Sequence, residues 1–276
     1  MKYRGKLIGM LACGLPAIAA LQGCNGSNSG PVNPPPTGPV IVALNGANSI
    51  QTFRSGAPGT SVSGLIAITG LQANETIVGF DFRPANGQLY GVSNSSRIYT
   101  IVPGTGAATL VSTLSVPLNG TSFGVDFNPV PDRLRIISDT EQNLRVNVET
   151  GATTVDTPLA YLAGDANVGV NPNIVAAAYS NNVNPAPTTT TLFDIDSNLD
   201  ILTTQNPANN GTLATIGTLG VNASDIAGFD IGSDGQAFAV FTTGNASALF
   251  SINLTSGAAT SLGLIGSNVR SISVQP

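Results

Sequence analysis

Four short apolar runs lie between Gly79 and Leu114, in GFDFRPANGQLYGVSNSSRIYTIVPGTGAATLVSTL, and their recurrence along the chain limits the fold more than any other feature. The runs are GFDF, QLYGV after Asn86-Gly87, RIYTI, and ATLVSTL after a Gly-rich turn. Asn-Gly between apolar runs predicts a two-residue hairpin, because both turn positions then need φ > 0. Four antiparallel strands in under fifty residues, repeated, have the form of a propeller blade.

Alignment on the first strand places FDFRP at 80–84, VDFNP at 125–129, VGVNP at 168–172 and FDI at 229–231 in register. Asp81, Asp126, Gly169 and Asp230 then share the central position. The steps are 45, 43 and 61 residues, and two polar insertions, at 180–191 and 205–211, account for the long one. A Thr/Ser-Gly-Ala turn recurs at the third-to-fourth-strand position in PGTGAATLV, ETGATTVD and LTSGAATSL. At the start, IVALNGANSIQTF (41–53) matches LYGVSNSSRIYTI (89–101), so the first unit lacks its innermost strand. At the end, RSISV (270–274) is an orphan strand with Ser273 in the Asp position.

A ring closed by its own termini needs this pairing of a missing and a surplus strand, and closure removes open sheet edges. A linear array of β-sandwich modules would not need complementary half-units. The expected fold is therefore all-β: a five-bladed β-propeller spanning 40–276, closed by pairing of N- and C-terminal strands. Its blades are 40–70 with 270–274, then 77–115, 122–160, 167–219 and 226–265.

The N-terminus reads as an address. Residues 1–24 combine a basic start, an apolar run from about Leu7 to Leu21, and Leu-Gln-Gly-Cys. This is similar to a bacterial lipoprotein signal (1–23) followed by a lipidated Cys24. A spanning helix needs about 20 apolar residues, and this run is shorter and broken by Gly14 and Pro16. The resemblance implies a membrane partner through the anchor, and Asn25 after the cysteine implies the outer membrane. Residues 24–39 carry the anchor and a Gly/Ser/Asn/Pro-rich tether with little to bury.

Charge narrows the partners. Both lysines of the chain and Arg4 lie within the first six residues; without them seven Arg face fifteen Asp and Glu, a net charge of −8. Such a chain is repelled by nucleic acid. It contains no His, which excludes Ser-His-Asp catalysis and imidazole zinc sites.

GFDFRPANGQLYGV, SFGVDFNPVPDRLRIIS, NLRVNVETGAT and IAGFDIGSDGQAFAV together resemble the bacterial secreted proteins grouped as domain of unknown function 4394, over roughly residues 40–274. The family implies fold and export and brings no catalytic residues.

Asp81, Asp126 and Asp230 can be read in two ways. They are acceptors for backbone N–H groups that hold blade to blade, or a hard-oxygen site for Ca²⁺. The first is the expected reading, and no cofactor is required by it. Asp194, Asp196, Asn198 and Asp200 have the spacing of a calcium loop, but Leu199 and Gln205 stand where Gly and Glu are needed, so a polar turn between a third and a fourth strand is expected. Arg83, Arg133 and Arg135 are candidates to anchor an anionic ligand at a mouth of the ring, with Arg145 near them; pairing with Asp132, Asp139 or Glu141 is the plainer expectation. The functional expectation is an anchored binding or scaffolding module with an envelope protein or glycan as partner. The alternative is a carboxylate- or metal-dependent enzyme acting on a small sugar or lactone.

Overall fold

A computed structural model describes residues 36–46 and 48–276; the expected signal segment, Cys24 and most of the expected tether lie outside the described residues. In chain order the strands are β1 (Val40–Asn45), β2 (Ser49–Arg54), β3 (Ile66–Ala67), β4 (Ile77–Phe82), β5 (Leu89–Ser93), β6 (Arg97–Ile101) and β7 (Ala108–Thr113). They continue with β8 (Phe123–Asn128), β9 (Arg133–Ser138), β10 (Asn143–Val146), β11 (Thr153–Val155), β12 (Ala160–Tyr161), β13 (Ile174–Tyr179), β14 (Leu192–Asp196), β15 (Ile201–Gln205) and β16 (Thr212–Thr218). The last are β17 (Ala227–Ile231), β18 (Ala237–Thr243), β19 (Ala246–Ile252), β20 (Ala259–Leu264) and β21 (Val269–Val274).

They form five sheets, ordered β21-β1-β2-β3, β4-β5-β6-β7, β8-β9-β10-β11, β13-β14-β15-β16-β12 and β17-β18-β19-β20. The C-terminal strand is the innermost strand of the first blade, antiparallel to β1 with Val42 opposite Ser273. The innermost strands contact one another around an axis in the cyclic order β4, β8, β13, β17, β21. The chain is a five-bladed β-propeller closed by its termini.

Five apolar clusters fill the spaces between neighbouring blades, one to each space. This explains the near-continuous apolar character of strands such as VIVALN. Ile41 and Ala43 face the fifth blade, while Val42 and Leu44 face the second, so both faces of the strand are buried. Outer strands have no neighbour on one side, and β7 and β20 are largely exposed.

The Thr/Ser-Gly-Ala turn is a docking point for the preceding blade. Gly106, Gly151 and Gly257 have φ of 72°, 73° and 82°. Ser115 N–H donates to the Gly151 carbonyl at 2.9 Å, and Thr69 N–H to that of Gly106 at the same distance. A Cβ on Gly257 would stand 2.5 Å from the Gly217 carbonyl oxygen, so a side chain would push the blades apart.

Three expectations need correction. The innermost strand of the fourth blade is β13, not 168–172; Val168 and Val170 are exposed in the loop before it, and Ala178 occupies the position assigned to Gly169. Apolar Val-Gly-Val-Asn-Pro resembled the repeat, whereas the true strand, IVAAAY, lacks the Asp that anchored the alignment. The Asn86-Gly87 turn is wider than two residues: the Arg83 carbonyl accepts from Gly87 N–H at 2.8 Å, and only Gly87 is left-handed. The Asp196–Asp200 turn joins the second and third strands of its blade, β14 and β15.

Candidate functional site

The innermost strands approach closely because a small residue stands two places before the Asp position: Gly79, Gly124, Ala176, Gly228 and Ser271. A Cβ on Gly124 would lie 2.7 Å from Ala177 N, and one on Gly228 2.7 Å from Ile272 N. At this separation the next side chains around the axis reach the neighbouring backbone. Phe127 N–H donates to Asp81 Oδ2 at 2.9 Å, Tyr179 N–H to Asp126 Oδ1 at 3.0 Å, and Val274 N–H to Asp230 Oδ2 at 2.5 Å. Ser273 Oγ accepts from Phe82 N–H at 3.2 Å. Four of the five blade junctions are thus tied by the side chain at this position, and Ser271 Oγ adds a second tie at one of them by accepting from Phe80 N–H at 3.4 Å. At the fifth, Ala178 has no acceptor to offer, and Ile231 N–H turns to Asp230 Oδ1 at 2.6 Å.

The three carboxylates also converge. One oxygen from each lies within 4.8 Å of the others, and all three residues are buried. Ser273 Oγ is 2.7 Å from Asp81 Oδ1 and 3.2 Å from Asp230 Oδ2, and its single proton is shared between them. Asp126 Oδ2 is buried with no donor. None of the three forms an ion pair among the described residues. Burial, and then the charge of Asp230, raises Asp81 well above the usual carboxylate range; burial and then Asp81 and Asp230 do the same to Asp126. Asp230 is pushed up to about 6 by burial, moderated by the Val274 and Ile231 amides.

The axis of the ring has two unlike mouths. The second, where the innermost strands end, is covered by the 180–191 insertion: Asn182 Nδ2 donates to the Ile231 carbonyl at 3.0 Å and Asn184 Nδ2 to that of Ala85 at 3.4 Å. The first, where these strands begin, is open. A cavity of about 110 Å³ there is lined by Val78, Thr121, Ser122, Phe123, Asp225 and Arg270, among others. A neighbouring cavity of about 420 Å³, bordered by Asn45, Ser49, Leu65, Ser267 and Asn268, shares Arg270 with it. Arg270 has no carboxylate or hydrogen-bond partner among the described residues, and burial lowers its pKa.

The arginines singled out in the sequence are placed elsewhere. Arg83 pairs with Asp132 at 2.5 Å and Glu149 at 2.6 Å. Arg133 donates to the carbonyl of Asp132 at 2.8 Å. Arg135 is buried in the seam between the third and fourth blades, bonded to Tyr179, Asn143, Asp156 and Asn209, and Arg145 shares Asp156 with it. The carboxylate partners are thus Asp132, Glu149 and Asp156, with Asp132 alone drawn from the expected three. Asp196 accepts from Asn198, Leu199 and Asn173 amides and from Tyr161, Asp200 accepts from Ala223 N–H, and Asp194 is buried apart from them; these are the bonds of a polar turn. Arg270 was missed because RSISV was read only as a closing strand. The available signal was its place three residues before Ser273, on the axis near the beginning of the innermost strand.

The profile of the Domain of unknown function (DUF4394) family matches residues 49–273. The chain belongs to that family. Among curated proteins, none matches this DUF4394 chain. Similar solved structures include a protein of unknown function from Bacteroides thetaiotaomicron VPI-5482, at 16% identity and a TM-score of 0.48, covering 81% of this chain and 57% of that one. A protein from Lactobacillus plantarum has 13% identity and a TM-score of 0.39 over 84% of this chain and 70% of that one. The Dos1 propeller has 11% identity and a TM-score of 0.40 over 82% and 62%. The DUF4394 chain therefore spans just over half the length of the Bacteroides protein. Its own strand order and closure, described above, define it as a propeller.

Proposed function

We propose that this DUF4394 protein is an exported, lipid-anchored binding module of the bacterial cell envelope, with the first mouth as its binding face and an acidic saccharide as the class of ligand. The observation that carries this reading is Arg270. Each of the other six described arginines has a partner in the fold: Arg54 the Gly38 carbonyl, Arg97 the Glu75 carboxylate, and Arg83, Arg133, Arg135 and Arg145 those already named. A partly buried guanidinium without a partner gains most from a ligand that brings the missing anion, and its planar fork suits a carboxylate. Around it, Asp225, Thr121 and Ser122 supply acceptors for hydroxyls, and Val78 and Phe123 supply an apolar wall. A carboxylate beside several hydroxyls is the chemistry of a uronic acid unit. Rigid strands hold these groups while the loops between them leave the mouth open.

Calorimetric titration of the full-length chain in detergent with glucuronate- and galacturonate-containing oligosaccharides tests the reading, with neutral glucose oligosaccharides as the control. Saturable binding of an acidic sugar, weakened at least about tenfold in Arg270→Gln, is the expected result. Equal binding of the neutral series, or binding untouched by the substitution, would remove Arg270 from the role. For the anchor, mass spectrometry of the envelope fraction is expected to find a diacylglyceryl group on Cys24, absent from Cys24→Ser. A wild-type chain recovered without lipid in the soluble fraction contradicts it.

A further inference from the structure

We propose that Asp81, Asp126 and Asp230 form an axial binding site for one divalent cation, Ca²⁺ by the chemistry of its donors, closed at the second mouth by Asn182. This inference is independent of the reading of Arg270.

Holding the blades together does not account for these carboxylates. Each junction needs one neutral acceptor, and Ser273 makes the same link to Phe82 N–H without any charge. Three acids among the five positions around one axis bring more negative charge than that task requires, with no Arg in salt-bridge range among the described residues. Buried like charges must be neutralised by protons or by a cation.

Two further observations favour a cation. Asp126 Oδ2 is fully buried without a donor, within the cluster, and Asn182 Oδ1 is buried without one as well. The Asn182 amide is oriented by its bond to the Ile231 carbonyl, and the residue lines, with Asp81 and Asp230, a cavity of about 10 Å³. That is room for about one water-sized sphere. An unpaired amide oxygen beside carboxylates is a good ligand for a hard cation. One oxygen from each of the three carboxylates lies within 4.8 Å of the others, close enough to share one ion. Carboxylate, amide and hydroxyl oxygens with no nitrogen or sulfur select Ca²⁺ or Mg²⁺ over transition metals.

Metal analysis of the full-length chain, purified in detergent without chelator, is expected to find one Ca²⁺ per chain. After chelation, adding Ca²⁺ at about 100 times its Kd is expected to raise Tm by roughly 5–10 °C. Asp126→Asn keeps an oxygen for the Tyr179 link while removing a charge, so it is expected to fold and to lose the Ca²⁺ response. Asn182→Ala leaves the trio intact and is expected to weaken Ca²⁺ binding by about tenfold or more. No retained metal and no Tm shift in millimolar Ca²⁺ would overturn the proposal and leave the trio as a proton-sharing cluster. A Ca²⁺ shift of equal size in Asp126→Asn would overturn it too, since the ion would then bind elsewhere.

Discussion

Arg135 and Arg270 are two of the few cations in this chain, and the ring treats them oppositely. Arg135 is sealed between the third and fourth blades, where four side chains receive its donors and the 205–211 insertion contributes one of them, Asn209. Arg270 lines two cavities and meets no partner among the described residues. The first region turns its polar groups inward and joins two sheets. The second leaves one unmatched at a surface held in place by the rest of the ring. A buried charge with four of its five donors used is a structural element; a half-buried one with none used among the described residues is a place for something else to bind.

The largest test of this contrast removes the strand that carries Arg270. Deleting residues 270–276 takes away the innermost wall of the first blade, including Ile272 and Val274 from the apolar cluster shared with the fifth blade. Loss of soluble monomer in size-exclusion chromatography is expected; an unchanged Tm would disprove closure by the termini.

Arg135→Met should cost about 3–5 kcal/mol in denaturant unfolding, because Asp156 is then buried with only the half-exposed Arg145 to balance it. Combining it with Asp156→Asn should recover part of the loss.

Acidity separates the axis from the rest of the ring. Asp81, Asp126 and Asp230 have folded pKa values above their unfolded ones, so in chelated protein their protonated forms favour the folded state. That contribution is fully present below about pH 4 and is lost as pH rises through about 6, where Asp230 titrates, and beyond. Asp156 and Asp165 are shifted the other way: burial raises each, but Arg145 and Arg135 outweigh it at Asp156, and Thr215 and Asn167 at Asp165, so their contribution fades as pH falls below about 4. Tm of the chelated chain should therefore peak in mild acid and fall towards pH 8, with Ca²⁺ removing the fall. A chelated Tm that climbs steadily from pH 5 to 8 contradicts this.

The smallest effect belongs to the other arginine. Arg270→Gln should change stability by no more than about 0.5 kcal/mol, since no bond in the fold depends on it. A loss near that of Arg135→Met would show that the two regions are alike after all.

How much of this could be read beforehand varied with the kind of residue. Asp81, Asp126 and Asp230 were visible as a set because each recurs between apolar neighbours in a repeated strand. Ala178 escaped because IVAAAY keeps the apolar run and drops the acid, so the alignment slid onto the loop at 168–172. Asp156 and Asn209 carry no local pattern; they matter because a loop and a short outer strand meet at Arg135. Asn182 is one polar residue in a polar insertion until its amide is found against the Ile231 carbonyl.

The order of residues by itself determined the number of blades, the exchange of strands between the two ends of the chain, and the acids that occupy the axis. Those follow from local rules, alternation and turn chemistry, that repeat wherever the unit repeats. Only the tertiary structure decided which arginine is paired and which is free, which blade lacks its link, and that three acids distant in sequence share one buried volume. Pairing and burial depend on distances across the closed ring, and residues 81, 126 and 230 become neighbours only once all five innermost strands have met at the axis.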